Sequence, residues 1–370
     1  VKKGVSKSYK SNKRNNQKWF KEKPLPSPVV DTKQMLVSTD SGETRIAVLE
    51  GPTLVEYYTA QSKSQSLAGN IYLGKVKNVL PGMEAAFVDF GEQKNGVLYV
   101  SDINRVNNEK IENIIKIDEE IIVQVVKDAM GEKGARLTSQ VSFPGRFLVL
   151  IPNSNTKGIS RRLSEEERDR LDNIIRQIRP KGFGVIVRTA AEGATQDALQ
   201  DDIERLLTQW DKVESNKNNS APSLIHKEYD ISIKVVREHL NSGYKKLLID
   251  NEKSFNAIKD YLQDTSHELI QLIEQYNDEL PLFDRYHIDD QVKKALDRKV
   301  WLPSGGHLVI DRTEALTVID VNTGKFVGES SLNETVYKNN LEAAEEIARQ
   351  LRLRDIGGII VIDFIDMNSI

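Results

Sequence analysis

The sequence predicts a multidomain α/β protein that contains a small β-barrel, and three observations lead to this fold class. The chain of 370 residues is long enough for two or three domains with a substantial core. Five short strand-like segments separated by glycines occupy residues 70–139, which is typical of an OB-type barrel. After residue 231, strand-like and helix-like runs alternate, and this alternation indicates α/β layering.

The N-terminal residues 1–31 are predicted to be a basic, disordered tail. Residues 1–25 carry nine Lys and Arg but only one acid, Glu22, whereas the whole chain has a net charge of −3. The body of the protein is therefore acidic. The tail, which includes Trp19 and Phe20, either contacts nucleic-acid phosphate or is simply solvated, and the sequence leaves both interpretations open.

Composition excludes several classes of function. The chain has no cysteine, which excludes disulfides, thiolate metal ligands and cysteine nucleophiles. No stretch approaches the roughly 18 apolar residues of a membrane span, and the first 30 residues contain no apolar run that could act as a secretory signal. A soluble intracellular protein is the expectation.

The first predicted elements are all strands. Residues 35–60 are expected to form a small β-meander with a turn at Glu50–Pro52. The barrel follows, with strands at Ile71–Val76, Ala85–Phe90, Gly96–Val100, Ile121–Val126 and Ala135–Thr138. Most aromatic rings in so small a barrel should belong to its core. Even so, the barrel contains aromatic side chains that could stack on bases and lysines that could bind the nucleic-acid backbone. They are Tyr72, Phe87, Phe90 and Tyr99, with Lys75, Lys77, Lys94 and Lys133.

The middle of the chain mixes strands and helices. Strands are predicted at Phe147–Ile151 and Gly184–Ala190, with helices from Ser164 to about Ile178 and from about Thr195 to Val213. A basic turn at Ser160–Arg162 offers Arg161 and Arg162 to RNA. Residues 214–222, with three Asn, two Ser and one Pro, read as a linker.

The last part of the chain is predicted to alternate strands and helices. Strands are expected at Ile231–Val236, Lys246–Asp250, Gly306–Ile310, Leu316–Val321 and Ile359–Ile362, with helices at Glu252–Gln263 and from about Asn333 to Arg354. The long helix should bury one stripe, formed by Val336, Leu341, Ala344, Ile347, Ala348 and Leu351. Its arginines Arg349, Arg352 and Arg354 either complement the helix C-terminus or face RNA phosphates.

Two strand segments carry acidic residues that could hold one metal ion. In Thr317–Lys325, alternation places Asp320 and Asn322 on the same face of the strand. In Ile360–Asp366, Asp363 and Asp366 are three residues apart and cannot share a face within a regular strand, so we expect Asp363 to join Asp320. Oxygen donors beside open positions suit a hydrated Mg²⁺, although an Asp at the end of a buried strand also serves turns.

These residues resemble the ribonuclease E/G endoribonucleases of bacteria and plastids. The resemblance covers roughly residues 35–370. It is carried by several long motifs in the family's order, namely Leu302–Gly306, Glu314–Asn322, Asn340–Ala344, Ile347–Asp355 and Val361–Met367.

The resemblance implies a fold in which an RNase H-like subdomain is interrupted by an OB-fold barrel and a 5′-sensor and is followed by a DNase I-like subdomain. The implied boundaries are 32–67 and 233–296 for the RNase H-like parts, 68–140 for the barrel, 141–232 for the sensor and 297–370 for the partial DNase I-like subdomain.

The resemblance also implies residue roles. Asp320 and Asp363 match the family's Mg²⁺ carboxylates, and Asn322 matches an Asn that helps hold that site. The residues Gly145, Val149, Arg188 and Thr189 match the pocket that binds a 5′-monophosphate. Phe87 and Lys133 match barrel residues that hold RNA, whereas Val97 replaces a second aromatic residue of the family's barrel.

The implied function is a Mg²⁺-dependent endoribonuclease that cuts single-stranded RNA in RNA processing, rRNA processing and mRNA decay. Hydrolysis should leave 5′-phosphate and 3′-hydroxyl ends, because the five histidines form no recognisable pair for attack by the 2′-hydroxyl. A noncatalytic RNA-binding fragment is the alternative, and a metal-dependent DNA nuclease fits the acidic motifs but not the barrel and the sensor. The family implies a bacterial cytoplasm or a plastid stroma.

One expectation concerns the end of the chain at Ile370. The family's later cysteine pair for zinc is absent, so zinc is expected only in longer members. Homo-oligomers, which occur in the family, are accordingly doubtful for this chain, and a monomer of reduced activity is expected.

Overall fold

The computed structural model describes residues 32–61, 66–103, 110–323 and 332–367. The predicted basic tail, including Trp19 and Phe20, lies outside these residues, as do Lys325 and Ile370. Residues 32–370 group into one compact unit. Within the described ranges, no helix combines the length and the apolar character needed to cross a membrane.

The predicted meander is confirmed as three antiparallel strands, β1 (Lys33–Asp40), β2 (Glu43–Glu50) and β3 (Thr53–Gln61). Apolar side chains of these strands are buried on both faces of the sheet, because different core clusters contain Met35 and Leu36. Such double-sided burial requires cover from elements that come later in the chain.

The predicted barrel is also confirmed. Its strands are β4 (Ile71–Leu80), β5 (Ala85–Asp89), β6 (Gly96–Tyr99), β7 (Glu120–Lys127) and β8 (Arg136–Thr138), with the short helix α1 (Ile111–Ile114) before β7. Pairing of β4 with both β5 and β7 closes the sheet. Position 134 requires glycine, because a Cβ on Gly134 would collide with the carbonyl oxygen of Asn95 in a neighbouring loop.

A second layer of strands and two helices follows. The strands β9 (Phe143–Pro144), β10 (Leu148–Pro152), β11 (Lys157–Ile159) and β12 (Phe183–Val187) form one sheet in the order β11, β12, β10, β9. Helices α2 (Glu165–Ile178) and α3 (Gln196–Ser215) begin at Ser164 and Thr195, whose side chains accept hydrogen bonds from the first turn. Strand β13 (Ser223–His226) then joins the edge of the barrel by pairing with β4.

The chain next returns to the first sheet. Its elements are α4 (Ile231–His239), β14 (Tyr244–Ile249), α5 (Glu252–Thr265), β15 (Ile273–Gln275), α6 (Leu282–Arg285) and α7 (Ile288–Leu296). Strand β14 pairs in parallel with β1, which gives the strand order β15, β14, β1, β2, β3. The first sheet is therefore built from two stretches of chain that the barrel and the second layer separate.

The strand predicted at Ile231–Val236 is wrong, because this run is the helix α4. The Asp230 side chain accepts hydrogen bonds from the backbone N–H groups of Ser232 and Ile233, at 3.0 and 3.2 Å, and so caps the helix. A run of β-branched residues favours a strand, but a good N-cap and the burial of Ile233 and Val236 against the first sheet outweigh that preference.

The last layer is a four-stranded sheet covered by one long helix. Its elements are β16 (Lys299–Trp301), β17 (His307–Arg312), β18 (Leu316–Asn322), α8 (Leu332–Leu353) and β19 (Ile359–Asp363), with the strands in chain order across the sheet. Strands β18 and β19 are parallel, and α8 connects them. Helix α8 packs on one face through Ala343 and Ile347, and we call the opposite face the open face.

The predicted buried stripe of α8 is only partly correct. Val336 and Ile347 are buried and Leu351 is half-buried, but Leu341, Ala344 and Ala348 are exposed. The helix instead buries Ala343 and a row of polar side chains, Asn339, Asn340, Glu346 and Gln350. The prediction failed because it used apolar positions only, whereas Asn340 bonds the backbone of Ile365 and Gln350 bonds Glu346 within the helix.

Candidate active site and RNA-binding surfaces

The two carboxylates predicted to hold a metal ion lie next to each other. Asp320 on β18 and Asp363 on β19 are directly paired positions of the parallel ladder, and both are exposed. The Asn322 side chain lies on the same face and donates a hydrogen bond from Nδ2 to Oδ2 of Asp320, at 2.7 Å. The structure therefore brings these three oxygen-bearing side chains together on the open face.

Strand alternation explains why these side chains face outward. Along β18, Thr317, Ile319 and Val321 are buried toward α8, so Asp320 between them points to the open face. Asp363 is the last residue of β19, and Asp366 lies beyond the end of the strand. The two acids at the end of the chain therefore occupy different structural positions, as their spacing predicts.

Asn340 of α8 fixes the segment that follows Asp363. Its Nδ2 donates to the carbonyl oxygen of Ile365 at 2.8 Å, and its Oδ1 accepts from the Ile365 N–H at 3.2 Å. These two bonds tie the backbone after β19 to the helix. They restrict the position of Asp363 relative to Asp320, because only one residue separates Asp363 and Ile365.

The donor set fits a hydrated Mg²⁺. Within the described ranges, no group of three or more His, Cys, Asp or Glu side chains is placed to hold a metal ion. Mg²⁺ does not need such a group, since it usually keeps several waters and binds through one or two carboxylates together with substrate phosphate. The hydrogen bond between the two side chains uses Nδ2 of Asn322 and Oδ2 of Asp320, so it does not involve Oδ1 of either residue.

The open face continues from the carboxylates to two further rings. His307 on β17 is the paired position of Asn322, and Trp301 on β16 is the paired position of His307. Burial lowers the pKa of His307, the nearby Lys299 lowers it further, and Asp320 opposes both effects. Burial and Lys299 therefore favour the neutral form of the His307 imidazole.

The four residues predicted to form the 5′-phosphate pocket surround the end of β12. The Arg188 guanidinium donates from Nη1 to the Gly145 carbonyl oxygen at 2.9 Å, and the Arg188 N–H donates to the carbonyl oxygen of Phe147 at 2.8 Å. Val149 is half-buried on the neighbouring strand β10, opposite Ile186.

Arg188 keeps donors for a ligand. Its side chain is 21% exposed, and the nearest carboxylate, that of Glu238, lies 3.7 Å from Nη2, which is longer than a hydrogen bond. Burial lowers the pKa of Arg188, but a guanidinium stays charged at neutral pH. A partly buried, weakly paired arginine of this kind can receive an anion.

The basic turn lies beside this pocket. The Thr189 and Ser160 hydroxyls are hydrogen-bonded at 2.7 Å, and the Ser160 hydroxyl also accepts from the Arg162 N–H at 3.3 Å. Arg161 and Arg162 are both exposed. The turn thus places two further cations next to Thr189.

A residue that the sequence analysis missed, Asp202 on α3, organises the wall of the pocket. Its side chain is 2% exposed, and it accepts from the backbone N–H groups of Phe147 and Leu148 at 2.9 and 3.1 Å. It also accepts from the Arg146 N–H at 3.3 Å. A carboxylate that satisfies three successive N–H groups holds the loop after Gly145 in one conformation.

In the barrel, the predicted stacking residues divide into core and surface. Tyr72 and Phe90 are buried and pack edge to face, with ring centroids 5.0 Å apart, so they belong to the core. Phe87 is half-buried, and Val97 is its paired position on β6. Lys133 is exposed on the turn before β8, whereas Lys75 and Lys77 form ion pairs with Asp118 and Asp89.

The arginines at the end of α8 are engaged within the protein. Arg349 pairs with Glu346, and Arg352 pairs with Glu50. Arg354 donates to the Gln350 side chain and to the Asp297 carbonyl oxygen. These contacts favour a structural role over binding of RNA phosphates.

Some of the missed residues carried a signal in the sequence. Asp202 lies on the apolar stripe formed by Leu199, Ile203 and Leu206, so its burial could be read from helical periodicity. His307 and Trp301 could be found only by pairing β16 with β17 across the intervening turn. No signal of this kind identifies Asn340, because its partner is a backbone group remote in sequence.

Comparison with known proteins gives a consistent result over nearly the whole chain. The model of the Ribonuclease E/G family matches residues 142–370, and the model of the S1 RNA binding domain matches residues 67–139. The chain is 38% identical to Ribonuclease G of Salmonella typhimurium over 352 residues, which is 91% of this chain and 72% of that protein. It is 40% identical to Ribonuclease E of Haemophilus influenzae over 351 residues, which is 91% of this chain and 38% of that protein.

A third relative is Ribonuclease E of Escherichia coli K12. The identity is 38% over 352 residues, which cover 91% of this chain and 33% of that protein. The S1 match coincides with the strands β4 to β8, so the barrel is an RNA-binding S1 domain.

Proposed function

The chain belongs to the ribonuclease E/G family and is an endoribonuclease of RNA processing, and we propose that it hydrolyses single-stranded RNA with Mg²⁺ held by Asp320 and Asp363. We also propose that a 5′-monophosphate on the RNA promotes cleavage. The observation that carries the metal proposal is the direct pairing of Asp320 with Asp363, with Asn322 bonded to Asp320.

The protein groups of this site have distinct roles in the proposed reaction. When bound, Mg²⁺ would polarise a phosphoryl oxygen and increase the acidity of a water molecule. Asp320 and Asp363 would hold the ion from adjacent strands. Asn322 would fix the orientation of the Asp320 carboxylate through its 2.7 Å hydrogen bond and present its own carbonyl oxygen to a ligand.

The sensor would act on the end of the RNA rather than on the bond that is cut. The Arg188 guanidinium offers donors in a planar arrangement that suits phosphate, and the exposed Thr189 adds a hydroxyl group. A 5′-hydroxyl end has no charge for Arg188 to bind. The proposed preference for monophosphorylated RNA follows from this difference.

The S1 barrel would hold the single strand. Phe87 offers a half-buried ring and Lys133 an exposed cation, a combination that suits a base and its phosphate. Arg161 and Arg162 would extend the basic surface beside the sensor. Because the relatives named above are bacterial, we propose the bacterial cytoplasm as the location of the reaction.

The direct test uses a short single-stranded RNA with a 5′-monophosphate. We expect cleavage with Mg²⁺ and none with EDTA, and mapping of the ends should give a 5′-phosphate and a 3′-hydroxyl. A 2′,3′-cyclic phosphate would contradict the proposal, because it requires attack by the RNA 2′-hydroxyl. Cleavage that persists in EDTA would contradict the role of the metal.

A further inference from the structure

We propose that Trp301 is a stacking platform for one RNA base next to the scissile phosphate, and that Lys299 binds the phosphate of the same nucleotide. This inference rests on the proposed function, because it takes the site at Asp320 and Asp363 as the place of cleavage. It adds a base-binding subsite on the sheet itself, separate from the S1 barrel.

The position of Trp301 follows from the register of the sheet. Trp301, His307 and Asn322 are paired positions on three adjacent strands, and Lys299, Val309, Asp320 and Asp363 form a similar row across all four strands. Residues in one row point to the same face. With about 4.8 Å between strands, Trp301 lies roughly 10 Å from Asn322, within reach of a neighbouring nucleotide.

The exposure of Trp301 is unusual for so large an apolar side chain. The residue is 65% exposed on the edge strand β16, although the sheet has an apolar core on its other face. Its ring contacts His307, with centroids 5.4 Å apart, and this contact supports it from one side. An exposed tryptophan that is held in place by its neighbours indicates a binding surface.

Lys299 supplies the charge that an RNA strand needs on this face. Its Nζ lies 4.0 Å from the centroid of the Trp301 ring, and Lys299 forms no ion pair with a carboxylate in the described part of the chain. The open face also carries carboxylates, among them Asp320 and Asp363, which repel phosphate. Lys299, whose Nζ lies over the ring, offsets that repulsion for a nucleotide that stacks on Trp301.

The ligand class follows from these contacts. An aromatic ring accepts the face of any base, so the subsite should bind single-stranded RNA with little preference for sequence. Paired RNA would not fit, because its bases are already stacked on one another. The platform would therefore favour unpaired RNA close to the bond that is cut.

The first experiment compares cleavage by the parent, Trp301→Ala and Trp301→Phe with Mg²⁺. Stacking of one base is worth about five- to a hundredfold in affinity, so we expect kcat/KM to fall about tenfold in Trp301→Ala and less than threefold in Trp301→Phe. The matched control is Tyr337→Ala, which removes another exposed ring, 57% exposed on α8, and should leave kcat/KM unchanged.

RNAs with a single abasic nucleotide, moved one position at a time, locate the subsite. At one position next to the cleavage site, loss of the base should slow the parent about tenfold but should not slow Trp301→Ala further. If Trp301→Ala cleaves as the parent does, or if every abasic RNA affects both proteins equally, the proposal is overturned.

A binding experiment in EDTA does not depend on cleavage. Addition of the RNA should quench a component of the tryptophan fluorescence that is present in the parent and absent in Trp301→Phe. Equal quenching of both proteins would overturn the platform, even if cleavage requires Mg²⁺ as proposed. Conversely, a parent that quenches but does not cleave would retain the platform as an RNA-binding surface and refute the proposed metal reaction.

Discussion

At the scale of single residues, the two acids near the end of the chain have different predicted roles. We expect Asp363→Asn to lower kcat/KM for RNA cleavage at least about a hundredfold, because it removes one of the two carboxylates proposed to hold the metal. Asp366→Asn is the matched control, and it should have a much smaller effect because Asp366 lies beyond β19. Both variants should bind RNA as the parent does, which fluorescence anisotropy in EDTA measures. Equal losses of activity at both positions would contradict the assignment.

Arg188 allows a second test at this scale. Hydrogen bonds to a charged group contribute about 1.5–3 kcal/mol, so Arg188→Ala should remove a preference of roughly tenfold or more for 5′-monophosphorylated over 5′-hydroxyl RNA. The change should appear in cleavage of the monophosphorylated RNA, while cleavage of the hydroxyl RNA stays the same.

The control for Arg188 is Arg176→Ala, which removes a 67% exposed arginine that pairs with Asp172 on the surface of α2. This variant should keep the preference of the parent. If Arg188→Ala also keeps it, Arg188 has only the structural role of holding the Gly145 carbonyl.

At the scale of elements, the loop between β9 and β10 depends on a single carboxylate from α3. We expect Asp202→Ala to lower the free energy of unfolding by about 2–4 kcal/mol, because three buried backbone N–H groups lose their acceptor. The same variant should weaken the preference for monophosphorylated RNA, since this loop carries Gly145. Urea denaturation and the paired cleavage assay measure the two effects.

Asp201→Ala is the matched control for the loop. Asp201 precedes Asp202 on the same helix but is exposed, so its replacement should change the free energy of unfolding by less than about 0.5 kcal/mol. Similar destabilisation by both substitutions would show that the helix, rather than the hydrogen bonds of Asp202, determines the stability of the loop.

Prediction from sequence was most accurate for helices and strands that are determined by their own residues. The barrel strands follow from alternation and glycine corners, and α2 and α3 follow from their apolar periodicity and their caps at Ser164 and Thr195. The run at 231–236 was assigned to a strand because its β-branched composition was weighed above the cap at Asp230.

The candidate metal site was predictable for a similar reason, whereas its surroundings were not. Alternation within β18 places Asp320 and Asn322 on one face whatever the rest of the fold. The pairing with Asp363, the two hydrogen bonds of Asn340 and the row that contains Trp301 depend on registers between segments remote in sequence. Patterns within one segment contain no information about such registers.

At the scale of the whole molecule, the first sheet shows that the order of strands along the chain does not predict which strands pair. Strand β1 pairs with β2, its neighbour in sequence, and with β14, about two hundred residues later by the bounds of the two strands. The strand patterns predicted β1 and β14 but not their pairing, whereas the resemblance to a family implied that residues 32–67 and 233–296 belong to one subdomain. Burial of Met35 and Leu36 on opposite faces of β1 shows that later helices cover both faces of this sheet, with α4 and α5 in the cluster of Met35 and α6 and α7 in the cluster of Leu36.

Charge is the second property of the whole molecule that bears on function. The chain has a net charge of −3, but residues 1–25 carry nine Lys and Arg and one Glu, so the remainder is strongly acidic. An acidic body requires local sites to bind polyanionic RNA, and the barrel and the proposed sensor are the candidates. The basic segment is the largest concentration of positive charge in the sequence, and its contribution to RNA binding can be measured separately from these sites.

We predict that removal of residues 1–31 lowers the affinity for single-stranded RNA and reduces its dependence on salt. Each phosphate contact made by Lys or Arg contributes about 0.7 to the slope of log K against log salt concentration, so loss of roughly three contacts would reduce the slope by about 2. Titrations from low to physiological salt, in EDTA to prevent cleavage, measure the slope.

A variant in which four of the lysines in residues 1–31 are replaced by glutamine should give a similar reduction, because charge and not chain length is the cause. Thermal unfolding should be unchanged, since residues 32–370 form a compact unit by themselves. If both variants keep the slope of the parent, the basic segment does not contact RNA phosphate and is only solvated.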